Sequence, residues 1–236
     1  MMIEQIEVKG KLVLCIENEK EVTRNDVIQF ANSEYLSIKN TETISSGAFT
    51  NFTSLTKVIF KKVKRIGTEA FRECVNLEIV GFNEVNIINQ RAFYGCSKIR
   101  ELIFPSSLTL IDAQAFRGCE SLSEINFSYE IKELIIGSKA FAIDNKAGFN
   151  DEIISRVLFP PNLLSLGELV FEGKTIEALD IFVGRRGHST RAFDSMECKK
   201  LALCRTESAP FYEYDFFSVP DADFIWDIVS EEGYNA

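Results

Sequence analysis

Histidine is nearly missing from this chain: one residue, His188, in 236. An acid–base centre or a zinc site built on imidazole therefore has a single candidate. No run of about 18 uncharged apolar residues occurs, so no membrane-spanning helix is expected. Positive charge is in deficit, 26 Lys and Arg against 35 Asp and Glu, for a formal net charge of −9. General nucleic-acid binding needs a basic footprint that releases counterions, and this balance excludes it. Cysteine is sparse, six in all, too few for a disulfide framework in a chain of this length. A G-x-S-x-G elbow, a Walker A loop and a Rossmann fingerprint are absent. No carboxylate pair recurs where glycosidase geometry would need it. The opening, MMIEQIEVKGKLVLCIENE, has Glu4 and Glu7 where a leader wants basic residues, and its apolar run from Lys11 to Ile16 is short. The expected location is cytoplasmic as the sequence stands, or the cell surface or beyond if a leader has been removed.

What is present is a repeat. A small residue followed by phenylalanine recurs at Phe49, Phe71, Phe93, Phe116, Phe141 and Phe193, with Val170 before Phe171. The steps are 22, 22, 23, 25, 30 and 22 residues. A second apolar column follows at Phe60, Phe82, Phe104, Phe127, Phe159, Ile181 and Leu203. The text before it reads apolar-x-x-apolar-x-apolar, as in Leu77, Val80 and Phe82. Its last three positions alternate with the period of a β-strand. One coil cannot bury its own apolar edge, but stacked coils can, with strands at about 4.8 Å spacing. The expected fold is thus an α/β-type, mostly β repeat solenoid: about seven coils, one parallel sheet, and a further strand at Leu36–Ile38.

The unit from Ile66 through Ala70, Phe71, Cys74, Leu77 and Val80 to Phe82 resembles the BspA-type leucine-rich repeat, I-x-x-x-A-F-x-x-C-x-x-L-x-x-I-x-[LIF]-P. Pro105 and Pro160 stand at the proline place, and PSSLTLI matches the usual continuation. The resemblance covers about Ile44 to Leu203, with Phe52 replacing the first cysteine and the fifth to seventh repeats degenerate. It implies a right-handed leucine-rich-repeat solenoid with adhesion or interaction roles, often at cell surfaces.

A solenoid must cover its end coils. Residues 1–43 are expected to form an N-terminal cap. It comprises a hairpin turning at Lys9-Gly10, a short helix begun by Thr23 or Asn25 that carries Val27, Ile28 and Phe30, and the first strand. Residues 44–204 form the repeats, broken by an insertion at 142–152, and 205–236 the C-terminal cap, rich in aromatics such as Phe211, Tyr214 and Trp226. The division is one continuous domain.

Cys74, Cys96 and Cys119 fall in one column. A ladder of parallel side chains is no tetrahedral ligand set and resists disulfide geometry, so these are read as buried reduced thiols. Catalytic residues, metals and cofactors are not expected. Strand alternation leaves Lys57, Ile59, Ile79, Glu101, Ile103, Arg156 and Leu158 facing outward, as candidate contacts for a partner protein. Ile59, Ile79 and Ile103 read as an apolar row on three adjacent strands, either a contact surface or cross-strand packing. A monomeric, non-catalytic protein-binding or adhesion scaffold is the leading expectation, without nucleic acid or membrane insertion. An anion or small-ligand site in the loop Gly184–Thr190, with Arg185, Arg186 and His188, and a purely structural spacer are the alternatives.

Overall fold

The computed structural model describes residues 2–17, 20–143, 153–182, 191–205 and 223–228. Parallel strands stack into a solenoid of about 8 turns, mostly β with few helices. Each coil of the central part contributes twice. A front strand such as Lys57–Phe60 or Ile79–Phe82 carries the apolar-x-apolar pattern. After a short turn, a back strand such as Arg65–Ile66 or Ile87–Ile88 follows. The back strands form a second, seven-stranded sheet running from Glu21–Val22 to Leu163–Leu166. The single sheet expected from the sequence is thus corrected to sheets on two faces. Two-residue strands are too short to show alternation, which is why only the front ones were legible.

Between the faces lies a core of phenylalanine ladders. Phe49, Phe71, Phe93, Phe116, Phe141 and Phe171 stack face to face, with centroids 4.9, 5.1, 5.2, 5.6 and 5.4 Å apart. Phe60, Phe82, Phe104, Phe127 and Phe159 form a second ladder, and its rings meet the first edge-on, as Phe82 meets Phe93 at 88°. Offset and T-shaped aromatic pairs each add about 0.5–1.5 kcal/mol beyond simple burial. The step of 22 or 23 residues is therefore a packing constraint: a coil that changed length inside the core would take its ring off the stack.

The corner after most ladder phenylalanines turns through left-handed backbone, Phe141 being the exception. The residue two after it has a φ of 58° at Glu73, 73° at Gly95, 79° at Gly118 and 77° at Gly173. Only glycine adopts this conformation without steric penalty, which explains the glycine of AFYGC and AFRGC. Immediately beyond it, the thiols of Cys74, Cys96 and Cys119 are fully buried. Each S–H donates to a carbonyl of the preceding coil: Phe49 at 3.2 Å, Phe71 at 3.2 Å and Phe93 at 3.5 Å. The cysteine is a small apolar filler with one weak donor, at the place where a carbonyl needs one.

At the N-terminal end, Met2–Val8 pairs antiparallel with Lys11–Glu17, and Lys9 and Gly10 turn the chain with φ of 53° and 76°. Two positive φ values match the twist of a two-residue hairpin. Helix Arg24–Val27 is capped by Thr23, whose N–H donates to the Asp26 carboxylate at 2.8 Å. Val27 is buried, whereas Ile28 is 46% exposed. The helix lasts one turn, and the chain tightens into a 3-10 segment, Ile28–Phe30, which turns Ile28 outward. Arg24 then closes the first coil. Its guanidinium donates to the carbonyls of Gly47 at 3.2 Å and Thr50 at 2.9 Å, and lies over the Phe52 ring. Phe52 fills the cysteine place of this coil and meets Phe49 edge-on at 5.3 Å.

Lys174 stands three residues after Phe171, in the cysteine column, and is completely buried. Its ammonium reaches back past the coil of Phe141 and donates to the carbonyls of Cys119 at 2.9 Å, Glu120 at 2.9 Å and Leu122 at 3.4 Å. The equivalent place in the intervening coil is residue 144, outside the described residues, and the lysine reaches across that coil to the one before it. Lys174→Met keeps the apolar stem and removes the donors. It is expected to lower stability by about 1–3 kcal/mol, the penalty of leaving buried acceptors unmatched. Urea denaturation of both proteins, compared at constant m-value, checks this.

Candidate functional site

The front face presents two outward rows. One runs Val13, Tyr35, Lys57, Ile79 and the other Cys15, Ser37, Ile59, Gly81, each in direct register on paired strands. Lys57 and Ile59 are half-buried, Ile79 is 50% exposed and Ile103 is 58% exposed. Glu101 and Arg156 are exposed and Leu158 is half-buried. All seven sequence-derived positions thus point outward, but they do not form one surface. Ile59 lies opposite Gly81, not Ile79. A methyl added at Gly81 would sit 3.1 Å from the Ile59 δ1 carbon, so Ile59 leans over the glycine and packs within the sheet. Arg156 is committed to a cross-strand ion pair with Asp180, whose side chain is only 7% exposed. The expected row of three isoleucines is therefore corrected to two exposed residues, Ile79 and Ile103.

Those two flank a break in the ladder. The front strands divide into a five-stranded sheet ending at Ile79–Phe82 and a six-stranded sheet beginning at Glu101–Phe104. In the neighbouring coils, one carbonyl ahead of each strand accepts two N–H donors from the next coil. Glu34 accepts from Thr56 and Lys57, Thr56 from Glu78 and Ile79, and Arg100 from Ser123 and Glu124, all at 2.8–3.3 Å. Glu78 occupies the same column, and among the described residues its carbonyl accepts neither bond. At the other end of the strand, Lys61 donates to Ile38 at 3.0 Å and Ser128 to Phe104 at 3.1 Å. The corresponding donor for Phe82 would be residue 105, which is proline and has no N–H.

The break is confined to the surface. Beneath it Phe82 stacks on Phe104 at 5.5 Å and Phe93 on Phe116 at 5.2 Å, and on the back face Ile88 pairs with Ile111. A cleft of about 430 Å³ opens over the seam. Glu78, Ile79 and Gly81 line one bank, and Glu101, Ile103 and Pro105 the other. Neither Glu78 nor Glu101 has a cationic partner among the described residues. Glu101 accepts one long bond, 3.5 Å, from the Asn126 amide. Sequence reasoning placed Ile79, Glu101 and Ile103 outward but missed the seam that joins them; Pro105 alone did not mark it, since Pro160 holds the same place where the strands still pair.

Other sequence candidates fall elsewhere. The loop with Arg185, Arg186 and His188, most of the insertion and the aromatics at 211–217 lie outside the described residues. Residues 223–228 form a strand parallel to Glu197–Arg205, which places Phe224 opposite Leu201 and Trp226 opposite Leu203.

Two bands of repeats and a split strand face invite comparison with known proteins. The model of the BspA type leucine rich repeat region matches residues 27–147, just over half of the chain, in six copies. The chain belongs to the BspA-type leucine-rich repeat family. Two crystal structures share the fold of this BspA-type protein. One is a leucine rich cell surface protein from Faecalibacterium prausnitzii A2-165, at 18% identity and a TM-score of 0.54, with 96% of this chain and 75% of that one covered. The other is a leucine-rich repeat protein from Bacteroides ovatus ATCC 8483, at 15% identity and a TM-score of 0.53, with 98% and 78% covered. No curated protein sequence matches the chain. The match extends the family region upstream of Ile44, where the sequence resemblance began, to residue 27, and so takes in the front strand Tyr35–Ile38.

Cys96 and Cys119 are poor nucleophiles. Burial pushes the Cys119 thiol up to about 12, against a smaller opposing pull from Lys174, and burial raises Cys96 well above its usual range. A thiol whose folded pKa lies above its unfolded value favours the folded state while protonated. That stabilisation is complete below the unfolded value of 9.0 and is lost as pH climbs from there towards about 12. Cys119→Ala is therefore expected to show a shallower fall in Tm than the parent protein between those pH values. Calorimetric scans at several pH values across that window test the slope.

Proposed function

We propose that this chain is a non-catalytic protein-binding scaffold that captures its partner on the front strand face, centred on the seam. The carrying observation is the pair Ile79 and Ile103, half or more exposed on opposite banks of a cleft over an interrupted ladder. Apolar side chains with a charged rim are the usual composition of a protein contact, and open strand edges add main-chain donors and acceptors. Repeat solenoids favour extended surfaces over enclosed pockets, which fits a macromolecular ligand. Membership of a leucine-rich-repeat family supports the same reading, since its members commonly bind proteins. The buried thiols of Cys96 and Cys119, whose pKa burial raises, give little support to a competing catalytic account.

Ile79→Asp combined with Ile103→Asp places charge on both banks. Exposed substitutions of this kind change stability by roughly ±0.5 kcal/mol, so the fold should persist. Captures by the immobilised parent and double variant, from a lysate of the source cells, are compared by quantitative mass spectrometry. Circular dichroism confirms that both proteins are folded. The expected result is a defined partner retained by the parent and reduced about tenfold or more by the variant. Equal retention would sink the strand-face reading, and no specific retention by either protein would favour a spacer role.

A further inference from the structure

We propose that the seam cleft receives a lysine or arginine side chain from an extended segment of the partner protein. This rests on the strand-face reading and specifies its ligand. The acceptors all carry negative or partially negative charge. Glu78 and Glu101 face the cleft from opposite banks without a cation among the described residues. The Glu78 carbonyl lacks both donors that its counterparts at Glu34, Thr56 and Arg100 accept, and the Phe82 carbonyl faces a proline. A carbonyl left in a half-dry cleft is worth satisfying with a donor, and a cation satisfies carbonyls and carboxylates together.

Ile79 and Ile103 complete the fit. Long basic side chains lay their methylene stems on apolar surface and keep the charged head at polar groups. The two isoleucines supply walls for the stem, and the glutamates supply the terminus for the head. Gly81 adds no side chain of its own to its bank, where the Ile59 δ1 carbon lies over it. The chain contains its own precedent. In the column of the ladder cysteines the Lys174 ammonium settles against three backbone carbonyls. At the seam the front-strand pairing is missing, and among the described residues no lysine or arginine lines the cleft. An acidic or uncharged occupant would leave the acceptors unmatched, and the protein's net charge of −9 would repel the former.

A random dodecapeptide library displayed on phage, panned against the full-length chain, tests this. The expected result is enrichment of peptides with Lys or Arg flanked by apolar or β-branched residues. Their synthetic versions should bind about tenfold more weakly to Glu78→Gln/Glu101→Gln, a loss of about 1.4 kcal/mol. The isosteric glutamines keep shape and remove charge, and both proteins are checked by circular dichroism. An Ile79→Ser/Ile103→Ser protein, which removes the apolar walls without adding charge, serves as a third arm. Peptides that lose binding to the serine variant but not to the glutamine variant would overturn the basic occupant and leave the strand face standing. Peptides indifferent to both variants would overturn both readings. Failure to enrich any basic motif would overturn this inference by itself.

Discussion

Face-to-face stacking of one phenylalanine per coil is the constraint on which the rest of the structure depends. The ladder from Phe49 to Phe171 holds rings 4.9–5.6 Å apart with planes within 13° of parallel. A parallel strand repeats at about 4.8 Å. The two spacings match closely, so a ring stack and a hydrogen-bonded ladder can run side by side along one axis. Everything else in the coil adjusts to that pair. The left-handed corner brings the chain around, the cysteine fills the inside of the bend, and length variation is pushed to the turns. Where variation is largest, at the insertion, the stack still holds: Phe141 meets Phe171 at 5.4 Å, and the Lys174 ammonium reaches back to the Cys119 carbonyl.

Such redundancy lets the surface be interrupted without loss of the fold. At the seam the front ladder stops, while both phenylalanine ladders and the back sheet continue. Hydrogen bonds of a strand contribute only about 0.5–1.5 kcal/mol each in net terms, whereas a buried phenylalanine is worth about 3–5 kcal/mol on truncation to alanine. The core therefore decides the architecture, and the ladder has room to open at one point. That point is where the chain offers unmatched acceptors and exposed isoleucines together, which ties the proposed binding role to the packing beneath it.

Much of this was legible from residue order. Two apolar columns fixed the coil length, the front strands and the burial of Cys74, Cys96 and Cys119, because a core residue must recur at each turn. Outward positions such as Ile79 and Ile103 followed from alternation. The back strands did not, since residues like Thr43 and Ile44 are too few to show a period. Neither did the pairing of Ile59 with Gly81, which depends on register between strands and not on spacing within one. Arg156 read as a free contact because its partner, Asp180, lies a coil away. The seam was not legible: Pro105 removes one donor opposite the Phe82 carbonyl, but Pro160 holds the same place after Phe159 and the strands there still pair, so a proline after a strand does not by itself mark a break.

The central claim is that an unbroken core lies under a strand face open at one place. Hydrogen–deuterium exchange of backbone amides measures this directly, because protection follows local hydrogen bonding. The amides of Glu101 and Ile103 should exchange well ahead of those at the same places in neighbouring coils, Lys57 and Ile59 or Glu124 and Asn126. Amides of the corner residues Phe93 and Phe116 should stay protected throughout. Equal protection of Ile103, Ile59 and Asn126 would show that the ladder is closed and would contradict the account.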